Sequence, residues 1–214
     1  MKNKTVKRKS LTDQIKSILI DRIVDGTLCS GDRLKELQIA NEFGTSQAPV
    51  REAIRSLQAL GYVEHKPHIG AIVKTFTKKE IEEAYQIREA LEGHCLILAN
   101  FELDSLTEQL EVQYANMQVA LEKRDVKLFT LADNNFHKAI IECSHNERML
   151  EMWESLKMPF QVITTLAETV IPLEELVALH GPIVATLKQK KRVGSARYLA
   201  RHYKRIGAYW KKHN

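Results

Sequence analysis

Asp133 and His137 are the two residues of this sequence best placed to bind a metal ion together. They are four residues apart in a stretch with helical periodicity, which puts a carboxylate and an imidazole on one side of a helix with β-carbons about 6 Å apart. His180 and His202 follow on two later helices, each within a row of apolar residues. Any one of these histidines has an ordinary interpretation as a hydrogen-bonded core residue. Three imidazoles and one carboxylate on inward faces are explained together by a shared divalent cation.

The elements that must position these residues are helices, because apolar residues recur at helical spacing from Lys78 onward. Pro159 is expected to kink or end one helix, since proline lacks a backbone donor. Pro172 suits the first turn of the next. The segment 78–214 therefore predicts an all-α antiparallel bundle of six helices, at 78–101, 105–123, 126–143, from 147, from 172 and at 193–212.

A second stretch, residues 46–63, predicts an amphipathic helix whose outer face could read DNA. Its apolar residues recur at spacings of three and four, so one face should be buried. The outer face carries two arginines, which can pair bidentately with guanine, and two glutamines, which can pair with adenine. Such residues are also ordinary on a solvated helix face. The outward residues are Gln47, Arg51, Arg55 and Gln58.

The segments around this helix complete a DNA-binding architecture. Residues 35–43 predict a short helix that Gly44 ends, which gives helix-turn-helix spacing. Residues 62–65 and 71–76 predict two short strands joined by a basic turn, and residues 11–25 an additional amphipathic helix. The chain is therefore predicted to be mainly α, with a winged helix-turn-helix and small β wing over residues 11–75.

Residues 11–75 contain five short motifs: GDRL at 31–34, ExxIA at 36–40, FGTS at 43–46, PVREAI at 49–54 and LxxLG at 57–61. With these motifs the segment resembles the winged helix-turn-helix domain of the GntR family of bacterial transcription regulators. The resemblance implies double-stranded DNA as a partner, a homodimer and a palindromic operator. The positions that it assigns to DNA contact are Arg33, Ser46, Arg51, Arg55 and Gly70.

One departure from the family lies at the start of the predicted recognition helix. The family usually has Ser-Arg-Thr where this chain has Ser46-Gln47-Ala48. One cationic contact is missing, so the operator is expected to differ from the common family site. Gln47 is retained as a candidate base contact.

Residues 129–146 carry the pattern FxxxDxxFHxxIxxxSxN and resemble the helical effector-binding domain of the FadR/FCD subgroup of this family. The four metal-binding positions of that domain correspond to Asp133, His137, His180 and His202. The resemblance implies a divalent metal, zinc first and nickel or manganese as alternatives. It also implies a small carboxylate effector at the metal.

Two further residues follow from the same resemblance. Arg88 lies in the YQIRxxLE segment that matches the first helix of the domain, and it is expected to bind the far end of an acidic effector. A surface ion pair is the alternative interpretation of this arginine. The sequence His180-Gly181-Pro182 breaks a helix that the family continues, which puts the position of His180 in question.

The formal net charge of +5 is concentrated at the start of the 214-residue chain. Residues 1–10 hold five Lys or Arg and no acidic residue, and they are interpreted as a basic disordered tail or a phosphate-contacting arm. The three cysteines, in no CxxC spacing, indicate a reducing compartment. No signal-peptide pattern and no long apolar run occurs, so a cytoplasmic protein without a membrane partner is expected.

These features predict a DNA-binding transcription regulator, a repressor, rather than an enzyme. Residues 11–75 would bind DNA, and residues 78–214 would bind the effector and dimerise. Two alternatives remain: a metal sensor without an organic effector, and a metalloenzyme that activates water at open metal positions. The sequence has no HExxH motif and no carboxylate with an obvious general-base placement, which counts against the enzyme.

Overall fold

The computed structural model describes residues 10–24, 26–99, 103–156 and 171–212, with the side chains of 209–212 excepted. The chain forms two compact units, residues 1–75 and 76–214. The predicted basic tail, apart from Ser10, and the predicted kink at Pro159 lie outside the described residues.

The N-terminal unit contains three helices followed by an antiparallel pair of strands. Val63 pairs with Val73 and Lys66 with Gly70, while Arg33 forms an isolated bridge with Ile72. The mainly α winged fold is confirmed. The elements are α1 (Leu11–Val24), α2 (Glu36–Glu42), α3 (Gln47–Ala59), β1 (Val63–Lys66) and β2 (Gly70–Val73).

Helix α3 buries the face that its apolar spacing predicts. Val50 and Leu57 are fully buried and Ile54 nearly so, against α1 and α2. Leu60, in contrast, is 48% exposed. The helix ends at Ala59, because Gly61 takes a left-handed φ of 80° that turns the chain toward β1. Ser46 occupies the N-cap position, but its hydroxyl makes no capping hydrogen bond.

The C-terminal unit is helical throughout its described residues. Thr77 begins it with a capping box, in which its hydroxyl accepts from the Glu80 backbone N–H and the Glu80 carboxylate accepts from the Thr77 N–H. The first and last helices pack together. The elements are α4 (Lys78–Leu98), α5 (Leu103–Lys123), α6 (Val126–Glu142), α7 (Glu147–Ser155), α8 (Leu173–Ala178), α9 (Gly181–Lys188) and α10 (Arg192–Lys212).

The predicted count of six helices in this unit is wrong, because its described residues contain seven. The predicted fifth helix is two helices, α8 and α9, which meet at His180 and Gly181. Pro182 has no N–H with which to continue the hydrogen-bond ladder of α8. The next two N–H groups, of Ile183 and Val184, instead donate to the His180 carbonyl and begin α9.

Candidate metal centre and nucleic-acid interface

The four residues that the sequence predicts as metal ligands lie together in the C-terminal unit, and each is at least 96% buried. His180 Nε2 lies 3.4 Å from His137 Nε2 and 3.2 Å from Asp133 Oδ1. Asp133 Oδ1 lies 3.7 Å from His137 Nε2. His202, on α10, completes the group: its ring centroid is 4.6 Å from that of His180 and 5.1 Å from that of His137.

The helix break at Gly181 leaves His180 inside the cluster. His180 occupies the N-cap position of α9 and is fully buried. Its Nδ1 lies 2.9 Å from the Leu176 carbonyl one turn back in α8, which fixes the ring. The departure from the family pattern at Gly181-Pro182 therefore does not turn this imidazole away from Asp133 and His137.

Hydrogen-bond acceptors beside the Nδ1 atoms of His137 and His180 leave the Nε2 lone pairs of these two histidines facing each other. His137 Nδ1 lies 2.6 Å from Glu92 Oε2, and His180 Nδ1 faces the Leu176 carbonyl. An acceptor beside Nδ1 favours the tautomer that carries its proton there, and this is the outer-shell arrangement of metal-binding histidines. Two facing lone pairs beside a carboxylate require a proton or a cation between them.

His202 adds an unsatisfied group to the same space. It is 2% exposed, and its Nδ1 has no hydrogen-bond partner among the described residues. Burial, together with His180, His137 and Arg88, holds the pKa of His202 well below its ordinary value. A neutral imidazole is the form that binds metals. The three histidines offer ligand atoms that all lie within 4.8 Å of one another, so the residues fit a divalent ion.

Asp133 supplies the negative charge of the cluster. Burial alone would raise the pKa of this carboxyl, yet His137, His180 and Arg88 hold it below its ordinary value. The possible donor set is thus one carboxylate and three imidazoles, from two helices, α6 and α10, and the junction of α8 and α9. Such a set suits zinc and other borderline divalent ions.

Glu92 organises the surroundings of the cluster, and sequence reasoning gave it no role. Its Oε1 accepts hydrogen bonds from Arg88 Nε, Trp153 Nε1 and the Tyr203 hydroxyl, at 2.8, 2.7 and 2.8 Å. Its Oε2 faces His137 Nδ1. Burial would raise the pKa of Glu92, but Arg88, His137 and Trp153 lower it to about 2. The i, i+4 spacing of Arg88 and Glu92 is the one sequence signal of this pair.

Arg88 forms its ion pair inside the bundle, not at the surface. It is 1% exposed, and its guanidinium carbon lies 4.8 Å from the ring centroid of Trp153 and 5.6 Å from that of Tyr203. Its Nη2 is buried and has no hydrogen-bond partner in the part of the chain described. A buried, unsatisfied guanidinium nitrogen is a favourable contact for an anion.

A small inner cavity adjoins these groups. Its volume, the space open to the centre of a water-sized sphere, is about 10 Å³, room for about one water molecule. The residues of the cluster that line it are Arg88, Asp133, His137 and His202.

In the N-terminal unit, a groove of about 510 Å³ runs beside α3 and the wing. Arg33, Arg51, Arg55 and Gly70 all line it, so four of the six predicted DNA contacts lie together. Gly70 has a φ of 97°, which favours glycine, and a Cβ there would lie 3.8 Å from Arg33 Nη2.

The remaining two predicted DNA contacts, Ser46 and Gln47, lie outside that groove at the start of α3, where both are exposed. Arg51 and Arg55 are each paired with a carboxylate, of Glu36 and Glu52 respectively. The surface therefore presents arginines in defined orientations beside the N-terminus of a helix. No helix in the described parts of the chain is long and apolar enough to cross a bilayer.

Comparison with known protein families accounts for both units. Residues 11–73 match the model of the gntR family of bacterial regulatory proteins, and residues 83–205 match the FCD domain. A solved structure, E. coli McbR/YncC, is 28% identical and superimposes with a TM-score of 0.73, covering 97% of this chain and all of that one.

Two curated relatives extend over most of the chain. One is described as "Probable D-xylose utilization operon transcriptional repressor" from Paenarthrobacter nicotinovorans, 33% identical over 87% of this chain and 82% of its own length. The other is a gluconate operon transcriptional repressor of Bacillus licheniformis, 28% identical over 80% of this chain and 73% of its own length. The chain belongs to the GntR family, with an FCD domain after its helix-turn-helix, and is a DNA-binding transcription regulator rather than an enzyme.

Proposed function

We propose that this regulator is a homodimeric repressor whose affinity for a palindromic operator is changed by a small carboxylate metabolite, bound at a divalent metal ion in the C-terminal unit. The metal is held by Asp133, His137, His180 and His202. The observation that carries the proposal is the approach of three buried imidazoles, with ligand atoms within 4.8 Å of one another, beside a buried carboxylate. The relatives named as repressors support the direction of regulation.

The donor set and its surroundings favour zinc, with nickel and manganese as alternatives. When bound, the ion supplies positive charge and open coordination positions for an anion. Glu92 and the Leu176 carbonyl keep His137 and His180 in the tautomer that a metal needs. Because the ligands come from α6, α10 and the α8–α9 junction, an ion held between them would tie these elements together.

A carboxylate effector agrees with the charges of the site. A divalent ion with Asp133 and three neutral imidazoles has a net charge of +1, which one carboxylate balances. Arg88 Nη2, buried and without a partner among the described residues, is available for the same anion. One relative is named for a gluconate operon, and gluconate is itself a carboxylate.

A metal sensor without an organic effector is the second candidate, and one observation favours it. The inner cavity has room for about one water molecule, which is less than a carboxylate with its carbon chain requires. An effector must therefore displace side chains when it enters, whereas a metal ion alone would not.

At the operator, a two-fold dimer would place its two recognition helices in successive major grooves on one face of the DNA. The residues assigned to DNA contact are Arg33, Ser46, Gln47, Arg51, Arg55 and Gly70. Footprinting that protects one asymmetric half-site, with a monomer in solution, would contradict this part of the proposal.

The test is elemental analysis of full-length protein purified without chelator or affinity-tag metal, followed by operator titration with and without a chelator. We expect about one equivalent of divalent metal per chain, lost in His137→Ala. His94→Ala is the matched control, because His94 is an exposed histidine of α4. A wild type that cannot be loaded, or a His137→Ala variant with full metal content, overturns the metal site. Metal-dependent operator binding that no carboxylate alters would favour the sensor.

A further inference from the structure

A second, larger cavity lies between α4 and α10. Its volume is about 220 Å³, and it opens to the surface. Tyr85 and Tyr203 line both this outer cavity and the inner cavity at the metal ligands. Their rings are 5.6 Å apart between centroids, so this tyrosine pair forms the common wall of the two spaces. A ligand that is anchored at Arg88 and reaches the outer cavity must pass between or beside these two tyrosines.

The charged groups around the inner cavity, with the metal ion bound, have a net charge that one negative charge of a ligand balances. Arg88 and Glu92 neutralise each other, and both Glu92 oxygens are already occupied by hydrogen-bond donors. The divalent ion and Asp133 leave a single positive charge. A second carboxylate in this enclosed space would be a buried charge without a partner, which is costly.

The outer cavity offers hydrogen-bond acceptors. Its lining includes the carboxylates of Glu82 and Glu89 and one ammonium, that of the exposed Lys204. Glu82 Oε1 is buried and has no hydrogen-bond partner within the described ranges. A buried carboxylate oxygen without a partner is stabilised by a hydroxyl or an ammonium and destabilised by another carboxylate.

We propose that the effector is a monocarboxylate whose far end carries hydrogen-bond donors, a hydroxyl or an ammonium, bound by Glu82 in the outer cavity. The carboxylate end lies at the metal and Arg88, so this inference rests on the proposed function. Di- and tricarboxylates should bind more weakly, because their second anionic group would meet the carboxylates of Glu82 and Glu89 with only Lys204 to offset them.

The test uses four probes of equal chain length with the metal-loaded full-length protein: 4-hydroxybutyrate, 4-aminobutyrate, butyrate and succinate. Binding is measured by calorimetry and by the shift in thermal unfolding temperature. At least one of 4-hydroxybutyrate and 4-aminobutyrate should bind about tenfold or more tightly than succinate. The affinity of butyrate should lie between that of this probe and that of succinate. The two donor-bearing probes separate a hydroxyl ligand from an ammonium ligand.

Glu82→Gln provides the matched variant, since it removes the charge and keeps the shape of a side chain outside the metal site. The variant should reduce the preference for the donor-bearing probes over succinate to about threefold or less, and it should leave the affinity for butyrate unchanged. Succinate binding as tightly as the donor-bearing probes, or a preference that Glu82→Gln leaves intact, overturns the inference but not the proposed function. If none of the four probes binds the metal-loaded protein or shifts its unfolding temperature, the carboxylate site and this inference fail together.

Discussion

Arg51 of α3 is joined to Glu36 of α2 by three contacts: Arg51 Nε lies 3.2 Å from Glu36 Oε1 and 3.0 Å from Oε2, and Arg51 Nη2 lies 2.9 Å from Oε2. The pair bridges the two helices of the helix-turn-helix and uses one edge of the guanidinium. Nη1 and the second N–H of Nη2 remain for a base, and guanine presents the two acceptors that fit this end of the guanidinium. The side chains of Arg51 and Glu36 are half and one-third exposed, so the ion pair contributes little to stability. Its main effect is to orient the Arg51 guanidinium.

Glu36→Gln should therefore lower sequence discrimination more than affinity. Loss of a carboxylate near the phosphates strengthens binding to random DNA, while a less constrained Arg51 weakens the contact to its base. The ratio of operator to random-sequence affinity, measured at one salt concentration, should fall. Glu42→Gln is the control, because it removes the same charge from α2 while Glu42 pairs with Arg22, which is not among the assigned DNA contacts. An unchanged ratio would show that Glu36 does not orient Arg51.

Arg51→Ala should weaken operator binding by about 1 to 3 kcal/mol if the side chain contacts a base. The loss should be smaller on random DNA, because phosphate contacts do not depend on sequence. Fluorescence anisotropy with both DNAs at several salt concentrations measures this. An equal loss on the two DNAs would make Arg51 a phosphate contact instead.

Glu92→Gln should impair the metal site without removing a ligand. The neutral amide is a weaker acceptor for His137 Nδ1, and outer-shell changes of this kind cost about 10- to 100-fold in metal affinity. The same substitution leaves the buried Arg88 without its counter-ion, so unfolding of the metal-free protein should cost about 3 to 5 kcal/mol less.

Metal titration and denaturant unfolding in a chelator separate these two effects of Glu92→Gln. The control is Glu89→Gln, a half-buried carboxylate on the same helix. Metal affinity and stability equal to those of the control would remove Glu92 from the outer shell of the site.

The grouping of the four proposed ligand residues was predictable from sequence, because one pair has helical spacing and the others match a family pattern. Asp133 and His137 are both on α6, so local geometry alone brings them together. Glu92, Trp153 and Tyr203 were not predictable from spacing, since they meet across three helices whose packing no local pattern specifies. The same holds for the position of His180, which depends on how α9 restarts after Gly181 and not on a continuous helix.

Removal of the metal should destabilise the C-terminal unit and leave the N-terminal unit intact. An ion that binds only the folded state adds about 2.7 kcal/mol to the free energy of unfolding at a free concentration 100 times Kd. Thermal unfolding should therefore show one transition that moves to lower temperature with chelator or in His202→Ala, and a second that does not move.

His202→Ala should also abolish any response of operator binding to carboxylates, with binding to random DNA unchanged. His94→Ala should behave as the wild type in all three measurements, because His94 is exposed on α4. An unfolding curve that the chelator does not move, or a His202→Ala variant whose unfolding responds to the chelator as that of the wild type does, would leave the buried histidines as hydrogen-bonded core residues.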